Sequence, residues 1–145
     1  MKIINETNNE NLRQALALVL KHYKDDAFLR VIKEIDSFNH TKDCGIEVAH
    51  KIQTFDGVIT LKTYRPWYPW TKANAYRSGN AIYFNDRKSF DVIDYAVTIY
   101  HEFLHVLGYG HKTNYVTKYN LGTVNYKVSI MFAEYIKTIY AEKVA

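Results

Sequence analysis

An eleven-residue string, H-E-F-L-H-V-L-G-Y-G-H, constrains the fold of this chain more than any other feature. It contains His101, His105 and His111, with Gly108 between the last two. Residues four apart lie on one face of a helix, so His101 and His105 can reach the same ion. A continuing helix would carry His111 about 9 Å beyond His105 along the axis. The helix must therefore end near Gly108 if His111 is to return, and glycine favours such an end because it accepts positive φ.

Three imidazoles at this spacing are typical ligands of a catalytic zinc ion. Zinc binds neutral imidazole nitrogens, and three protein ligands leave a fourth position open for water. Glu102 follows the first histidine, and its carboxylate can take a proton from that water, whose pKa the metal lowers towards about 7. H-E-x-x-H on a helix is typical of zinc peptidases. The sequence therefore predicts one catalytic Zn²⁺ on His101, His105 and His111, with Glu102 as the general base.

The whole string resembles the extended motif of the metzincin clan of zinc metallopeptidases, H-E-x-x-H-x-x-G-x-x-H, and all five fixed positions match. Metzincins also carry a methionine-bearing turn beneath the metal, often written S-x-M. The resemblance assigns this turn to Ser129-Ile130-Met131, directly before the last helix. Tyr135, four residues after Met131, is similar to the tyrosine in the M-x-x-x-Y of matrixins, and the resemblance places it at the substrate site.

The resemblance also implies a place for substrate. Metzincins have an edge strand that pairs with an extended peptide, and the corresponding residues here are Asn80, Ala81, Ile82, Tyr83 and Phe84. The implied activity is a zinc-dependent endopeptidase that hydrolyses peptide bonds through a metal-activated water, acting on a peptide or protein substrate. Two departures keep the resemblance at the level of the clan. Lys112 after the third ligand matches none of the best-known subfamilies, and Ala133 stands where astacins and serralysins have a tyrosine ligand.

Three alternatives remain open from the residues alone. Bacterial endoribonucleases that mature ribosomal RNA carry the similar string H-G-x-L-H-L-x-G-Y-D-H, but this chain has Glu102 in place of their glycine and Gly110 in place of their aspartate. A gluzincin would use Glu134 instead of His111, which leaves Gly108 unexplained. A non-catalytic zinc-binding domain usually has a fourth protein ligand and has no use for Glu102.

Hydrophobic periodicity predicts an α+β fold. With the resemblance, we expect a zincin-like domain over residues 1–145, a single metallopeptidase catalytic domain: a small twisted mixed β-sheet with an N-terminal backing helix, an active-site helix and a C-terminal helix. The expected elements are one or two helices over 8–36, strands over 46–52 and 58–64 joined by a hairpin at Asp56-Gly57, a strand over 80–84, and helices over 89–107 and 132–143.

Composition limits the remaining possibilities. The single cysteine, Cys44, excludes an intramolecular disulfide and is expected to be a small buried thiol. The absence of a long uncharged apolar run predicts no membrane span. A net charge of +4, from 19 Lys+Arg against 15 Asp+Glu without a block of like charges, does not favour nucleic acid as a partner. We expect a monomer, cytoplasmic if Met1 is the native start and secreted if a leader has been removed. The aromatic loop from Tyr64 to Trp70 is expected either to roof the cleft or to pack over the hairpin.

Overall fold

In the computed structural model, which describes residues 1–67 and 74–144, four strands and six helices form an α+β fold. The strands are β1 (Lys2–Asn5), β2 (Val58–Tyr64), β3 (Ala75–Ser78) and β4 (Ala81–Asn85). The helices are α1 (Glu10–His22), α2 (Asp26–Lys33), α3 (Gly45–Thr54), α4 (Val92–Val106), α5 (Lys118–Leu121) and α6 (Val124–Val144). None of the helices in this described part is both long and apolar enough to cross a membrane.

The four strands form one small mixed sheet in the order β1-β2-β4-β3. β1, β2 and β4 run parallel, and β3 is antiparallel to β4. The register places Leu61 beside Ile82 and Ile82 beside Arg77. Within residues 1–67 and 74–144, β4 therefore has a hydrogen-bonded neighbour on each side, while β1 and β3 are the two edges of the sheet.

Helix α4 lies at the centre of the fold, packed against α1, α6 and the edge strand β3. The residue before it, Asp91, is its N-cap, and the Asp91 side chain accepts a hydrogen bond from the amide of Asp94 at 2.8 Å. Tyr100 is fully buried, and its hydroxyl donates to the carbonyl of Tyr23 at 2.9 Å. Side chains from both layers share one core, including Leu12, Val19, Ile59, Leu61, Ile82, Ile99 and Phe132. The predicted helix over 89–107 is confirmed, and it is fixed in place from several sides.

The predicted strand over 46–52 is wrong, because these residues belong to helix α3. Its buried positions are Gly45, Val48, Ala49 and Ile52, which is the spacing of one helix face, whereas Ile46 is 63% exposed. The helix also needs glycine at its start. A Cβ on Gly45 would lie 2.0 Å from the carbonyl oxygen of Ile32, at the end of α2.

The predicted hairpin at Asp56-Gly57 is consequently also wrong. β2 follows that turn, but its hydrogen-bonded neighbours are β1 and β4, both parallel to it. The hairpin in the described part of the chain joins β3 to β4, through Gly79, whose φ is 59°. β1 and β2 can run parallel because α1, α2 and α3 lie between them in the chain, and such a helical connection allows the chain to return in the same direction.

Candidate metal centre

The three histidines of the string lie together at the end of α4. The Nε2 atom of His111 lies 3.3 Å from Nε2 of His101 and 3.2 Å from Nε2 of His105. One possible ligand atom from each of the three residues lies within 4.8 Å of the others. The sequence prediction that these histidines meet is confirmed, and the group is positioned to hold a metal ion.

Two of the imidazoles have their tautomers fixed by backbone carbonyls. His105 donates from Nδ1 to the carbonyl of Tyr109 at 2.8 Å, and His111 donates from Nδ1 to the carbonyl of Thr113 at 2.7 Å. A carbonyl oxygen can only accept, so the hydrogen of each neutral ring lies on Nδ1 and Nε2 carries a lone pair. Metal-ligating histidines are usually oriented by a second hydrogen bond of this kind.

Lone pairs that face each other at 3.2 Å, as on His105 and His111, repel one another, and a cation bound between them removes that repulsion. Nitrogens bound tetrahedrally to zinc at about 2.0–2.1 Å lie about 3.3–3.4 Å apart. The observed separations of 3.2 and 3.3 Å are close to this spacing. Burial, followed by the neighbouring charges of His105 and His111, lowers the pKa of His101 to about 3, so this ring stays neutral. The three imidazoles therefore present nitrogens at the spacing that a tetrahedral metal ion requires.

Gly108 ends the helix as the sequence predicts. Its φ is 104°, and its amide donates to the carbonyl of His105 at 3.0 Å. Tyr109 then donates its amide to the carbonyl of Leu104 at 3.1 Å, which turns the chain back towards α4. This reversal brings His111 to the first two histidines.

Replacing Gly108 with alanine is expected to lower the free energy of unfolding by about 1–2 kcal/mol, because a side chain is strained at positive φ. A Cβ at this position would meet no other atom within 4 Å, so the backbone conformation alone carries the effect. Urea unfolding measures it. Gly110→Ala is the matched control, since the nearest atom to its added Cβ is 3.9 Å away and its φ is ordinary. Equal losses in both variants would contradict this account of Gly108.

Two buried asparagines, not identified from the sequence, support the histidines. Asn125, on α6, donates its side-chain amide to the carbonyl of Tyr109 at 3.2 Å, the same oxygen that accepts from His105. Asn120 donates to the carbonyl of Thr113 at 3.0 Å, the oxygen that accepts from His111. Both asparagines are 0% exposed. Each carbonyl that orients a histidine thus also accepts a hydrogen bond from a buried asparagine. The sequence alone gives little indication of these two asparagines.

The side chain of Tyr109 is held by a carboxylate next to helix α3. The hydroxyl of Tyr109 donates to Asp43 Oδ2 at 2.7 Å, and Lys51 Nζ lies 2.7 Å from the same oxygen. Hydrogen bonds from Lys51 and then Tyr109 lower the pKa of the Asp43 carboxyl. The Tyr109 side chain is therefore held by Asp43, just before α3, while the Tyr109 carbonyl orients His105.

Glu102 is 8% exposed, and no hydrogen bond to its carboxylate occurs within residues 1–67 and 74–144. Burial raises its pKa to about 7, and the positive charge of Arg77, on the edge strand β3, acts in the opposite direction. Burial lowers the pKa of His105, and the positive charge of Arg77 also lowers it. A carboxyl that titrates near neutral pH beside the histidines can accept and return a proton, as a general base requires.

This burial predicts how stability depends on pH in the metal-free protein. Folded Glu102 binds a proton below about pH 7, whereas in the unfolded chain its carboxyl titrates near 4.5. The Glu102 charge therefore destabilises the fold above pH 7, and the penalty disappears as the pH falls towards 4.5. Glu102→Gln is expected to be more stable than the wild type at pH 8, by at most about 3 kcal/mol, and to lose this advantage near pH 5. Urea unfolding with a chelator measures the difference, and an advantage that is constant with pH would contradict the prediction.

Tyr126, on the first turn of α6, is a further residue near the histidines that the sequence did not identify. Its ring centroid lies 4.8 Å from that of His101 and 5.0 Å from that of His111, at interplanar angles of 77° and 61°. Burial and then the negative charge of Glu102 raise the pKa of its phenol. Tyr126 therefore lies beside two candidate ligands and within electrostatic reach of the candidate base.

The prediction that Met131 lies in a turn is wrong. α6 begins at Val124, so Ser129-Ile130-Met131 lies within a continuous helix, and Ser129 donates its hydroxyl to the Asn125 carbonyl four residues earlier. Met131 packs against the hydrophobic core. The helix begins before the expected residue 132 because buried residues recur every fourth position upstream of it, at Val124, Val128, Phe132 and Ile136.

The predicted substrate residues also need correction. Asn80 lies in the turn before β4, and Ala81, Ile82, Tyr83 and Phe84 lie in β4, which is an internal strand. Their backbone already pairs with β2 and β3, so they cannot pair with a peptide as an edge strand would. The edge next to α4 is β3. Its sequence, Ala-Tyr-Arg-Ser, is too short and too polar to signal a strand.

Tyr135, predicted to lie at the substrate site, instead contacts Asp25 and Phe28. It donates its hydroxyl to Asp25 Oδ2 at 2.7 Å, and its ring stacks on Phe28 at 5.4 Å. It follows Tyr126 by nine residues, which is about two and a half helical turns and places it on the other side of α6. The contacts of Tyr135 with Asp25 and Phe28 therefore place it apart from the three histidines.

The structure disfavours two of the alternative metal sites that the sequence left open. Glu134, the third ligand of a gluzincin arrangement, has a side chain that is 71% exposed and lies 3.4 Å from Lys137, while His111 completes the cluster. In the described part of the chain, no fourth histidine, cysteine or carboxylate belongs to the group of three. A closed structural site would need such a ligand.

Cys44, which was expected to be buried, is half-buried at the start of α3. Residues 68–70 of the aromatic loop lie outside the described residues.

Comparison with known proteins gives no match: no family model matches the chain, and no similarity is found to a curated protein or to a solved structure.

Proposed function

We propose that this protein is a zinc-dependent endopeptidase of the metzincin type. The observation that carries the proposal is the spacing of the three Nε2 atoms, 3.2 and 3.3 Å from His111 to the other two, with two tautomers fixed for metal binding. The buried carboxyl of Glu102 and the lack of a fourth protein ligand in the described part support a catalytic role over a structural one. The metzincin motif supports peptide as the substrate.

His101, His105 and His111 would hold the ion, and zinc bound there would polarise a carbonyl and make a water molecule more acidic. Glu102 would remove a proton from the attacking water and deliver it to the leaving amine, which is expelled as the carbon–nitrogen bond breaks. Burial suits Glu102 to both steps, because its pKa of about 7 lies near the pH at which it must accept and release a proton. The carbonyls of Tyr109 and Thr113 keep two histidines oriented throughout.

Substrate would lie along the edge strand β3 instead of β4. An edge strand offers unpaired backbone groups to an extended peptide, which adds to the sheet as a further strand. β3 contacts α4, and its Arg77 acts electrostatically on Glu102 and His105. A peptide paired with β3 would therefore pass beside the candidate base.

The test is digestion of a peptide library by the zinc-loaded protein, read by mass spectrometry, with a structured RNA incubated in parallel. We expect internal cleavage of peptides, abolished by chelation and restored by zinc, and intact RNA. Glu102→Gln is the matched control for contaminating peptidases. RNA cleavage without peptide cleavage would overturn the proposal in favour of the endoribonuclease alternative, whose motif is similar around Tyr109.

A further inference from the structure

Tyr126 is a polar side chain beside the histidine cluster to which the proposed mechanism gives no role. Its ring meets those of His101 and His111 edge-on, with centroids 4.8 and 5.0 Å apart. In the part of the chain that the structure describes, no residue forms a hydrogen bond with its hydroxyl. Many tyrosines at a protein surface have a free hydroxyl, but this one accompanies a ring packed on two candidate metal ligands.

The position of Tyr126 is fixed relative to the histidines by its neighbour Asn125. The Asn125 side chain donates to the Tyr109 carbonyl, which in turn accepts from and orients His105. Ser129 donates to the carbonyls of Asn125 and Tyr126, at 2.5 and 3.2 Å. The first turn of α6 and the metal ligands thus form one connected unit, so the phenol is held in place without being part of the ligand set.

A phenol in this place has a defined use in hydrolysis. When water attacks a peptide carbonyl, negative charge develops on the carbonyl oxygen, and a fixed hydrogen-bond donor lowers the energy of that state. Glu102, as the base, carries charge of the wrong sign for this task. A tyrosine hydroxyl keeps its hydrogen at neutral pH, since the ordinary phenol pKa is about 10.

We propose that Tyr126 is a catalytic residue whose hydroxyl donates a hydrogen bond to the oxygen of the scissile carbonyl as charge develops on it. The inference rests on the proposed function for its reaction. The phenol keeps its proton throughout: the proton from water travels through Glu102 to the leaving amine.

The kinetic test compares Tyr126→Phe with the wild type as zinc-loaded full chains. Loss of one such donor is expected to lower kcat by about 10²–10³-fold with little change in KM, because the hydrogen bond forms mainly in the transition state. Zinc content and the urea midpoint should be unchanged. Tyr115→Phe is the control, since Tyr115 is 72% exposed in the loop after His111. An unchanged kcat in Tyr126→Phe would overturn the proposal.

A second measurement does not depend on peptidase activity. Inorganic phosphate, a tetrahedral anion, is titrated into the Co²⁺-substituted protein and followed by the visible spectrum. The Tyr126→Phe variant should bind phosphate at least about tenfold more weakly, because one charge-assisted hydrogen bond is lost. If the wild type cleaves no peptide, the proposed function fails while this affinity difference still reports on Tyr126. Equal phosphate affinities, or loss of the metal in Tyr126→Phe, would overturn the donor role, and metal loss would indicate a ligand or a structural residue.

Discussion

Glu102→Gln is expected to keep the metal and to lower the rate of peptide hydrolysis by about 10²–10⁴-fold, the usual contribution of a general base. Glutamine has nearly the same shape as glutamate but cannot accept the proton of the attacking water. The ligands His101, His105 and His111 are untouched, so zinc content should remain at one ion per chain. Steady-state kinetics on a cleaved library peptide, with metal analysis of the same sample, measure both quantities.

Glu134→Gln is the matched control for this substitution. Glu134 lies on the exposed side of α6 next to Lys137, and the same chemical change there should leave kcat and zinc content unchanged. Two results would contradict the assignment: full activity in Glu102→Gln, which would remove Glu102 as the base, or loss of zinc in Glu134→Gln, which would revive the gluzincin arrangement.

His105→Ala is expected to weaken zinc binding by at least about a hundredfold, since loss of a direct ligand should exceed the 10–100-fold typical of outer-shell changes. His105 is positioned from both ends: Nδ1 donates to the Tyr109 carbonyl, and Nε2 lies 3.2 Å from Nε2 of His111. A ligand that binds only the folded state raises stability by about 2.7 kcal/mol at one hundred times its Kd. Zinc should therefore stabilise the wild type against urea and give the His105→Ala variant little protection.

His50→Ala provides the comparison for that loss. His50 is an exposed histidine on α3, outside the group of three, so its removal should leave the zinc affinity and the zinc-dependent stabilisation as they are. Equal zinc affinity in His105→Ala and the wild type would contradict the three-histidine site.

The centre of the site could be predicted from the sequence because its geometry is local. The four-residue spacing of His101 and His105 fixes their common face, and Gly108 accounts for the return of His111 with a single residue of positive φ. The fourth functional position, Glu102, follows from its place beside the first ligand. All of this lies within eleven residues, so helix geometry and one glycine turn are sufficient to predict it.

The parts that the sequence did not predict depend on contacts distant along the chain. Tyr126 reaches His101 because α6 packs against α4, and Asn125 reaches the Tyr109 carbonyl, sixteen residues earlier in the chain, from the same helix. The edge position of β3 depends on the order of the whole sheet.

One of the errors arose from ambiguous periodicity and another from the resemblance. Residues 46–52 alternate apolar and polar side chains at several positions, yet Val48, Ala49 and Ile52 are the buried ones, at helical spacing. The place given to Met131 came from the resemblance, and the four-residue recurrence of Val124, Val128 and Phe132 already favoured an uninterrupted helix.

The central claim, a catalytic zinc held by three histidines with one position open, is tested most directly by zinc X-ray absorption spectroscopy of the metal-loaded protein. Three imidazole nitrogens at about 2.0–2.1 Å and one further light ligand from water are expected. The same spectrum should result for Glu102→Gln. A sulfur shell near 2.3 Å, which would implicate Cys44, or a fourth imidazole would indicate a closed structural site and contradict the claim.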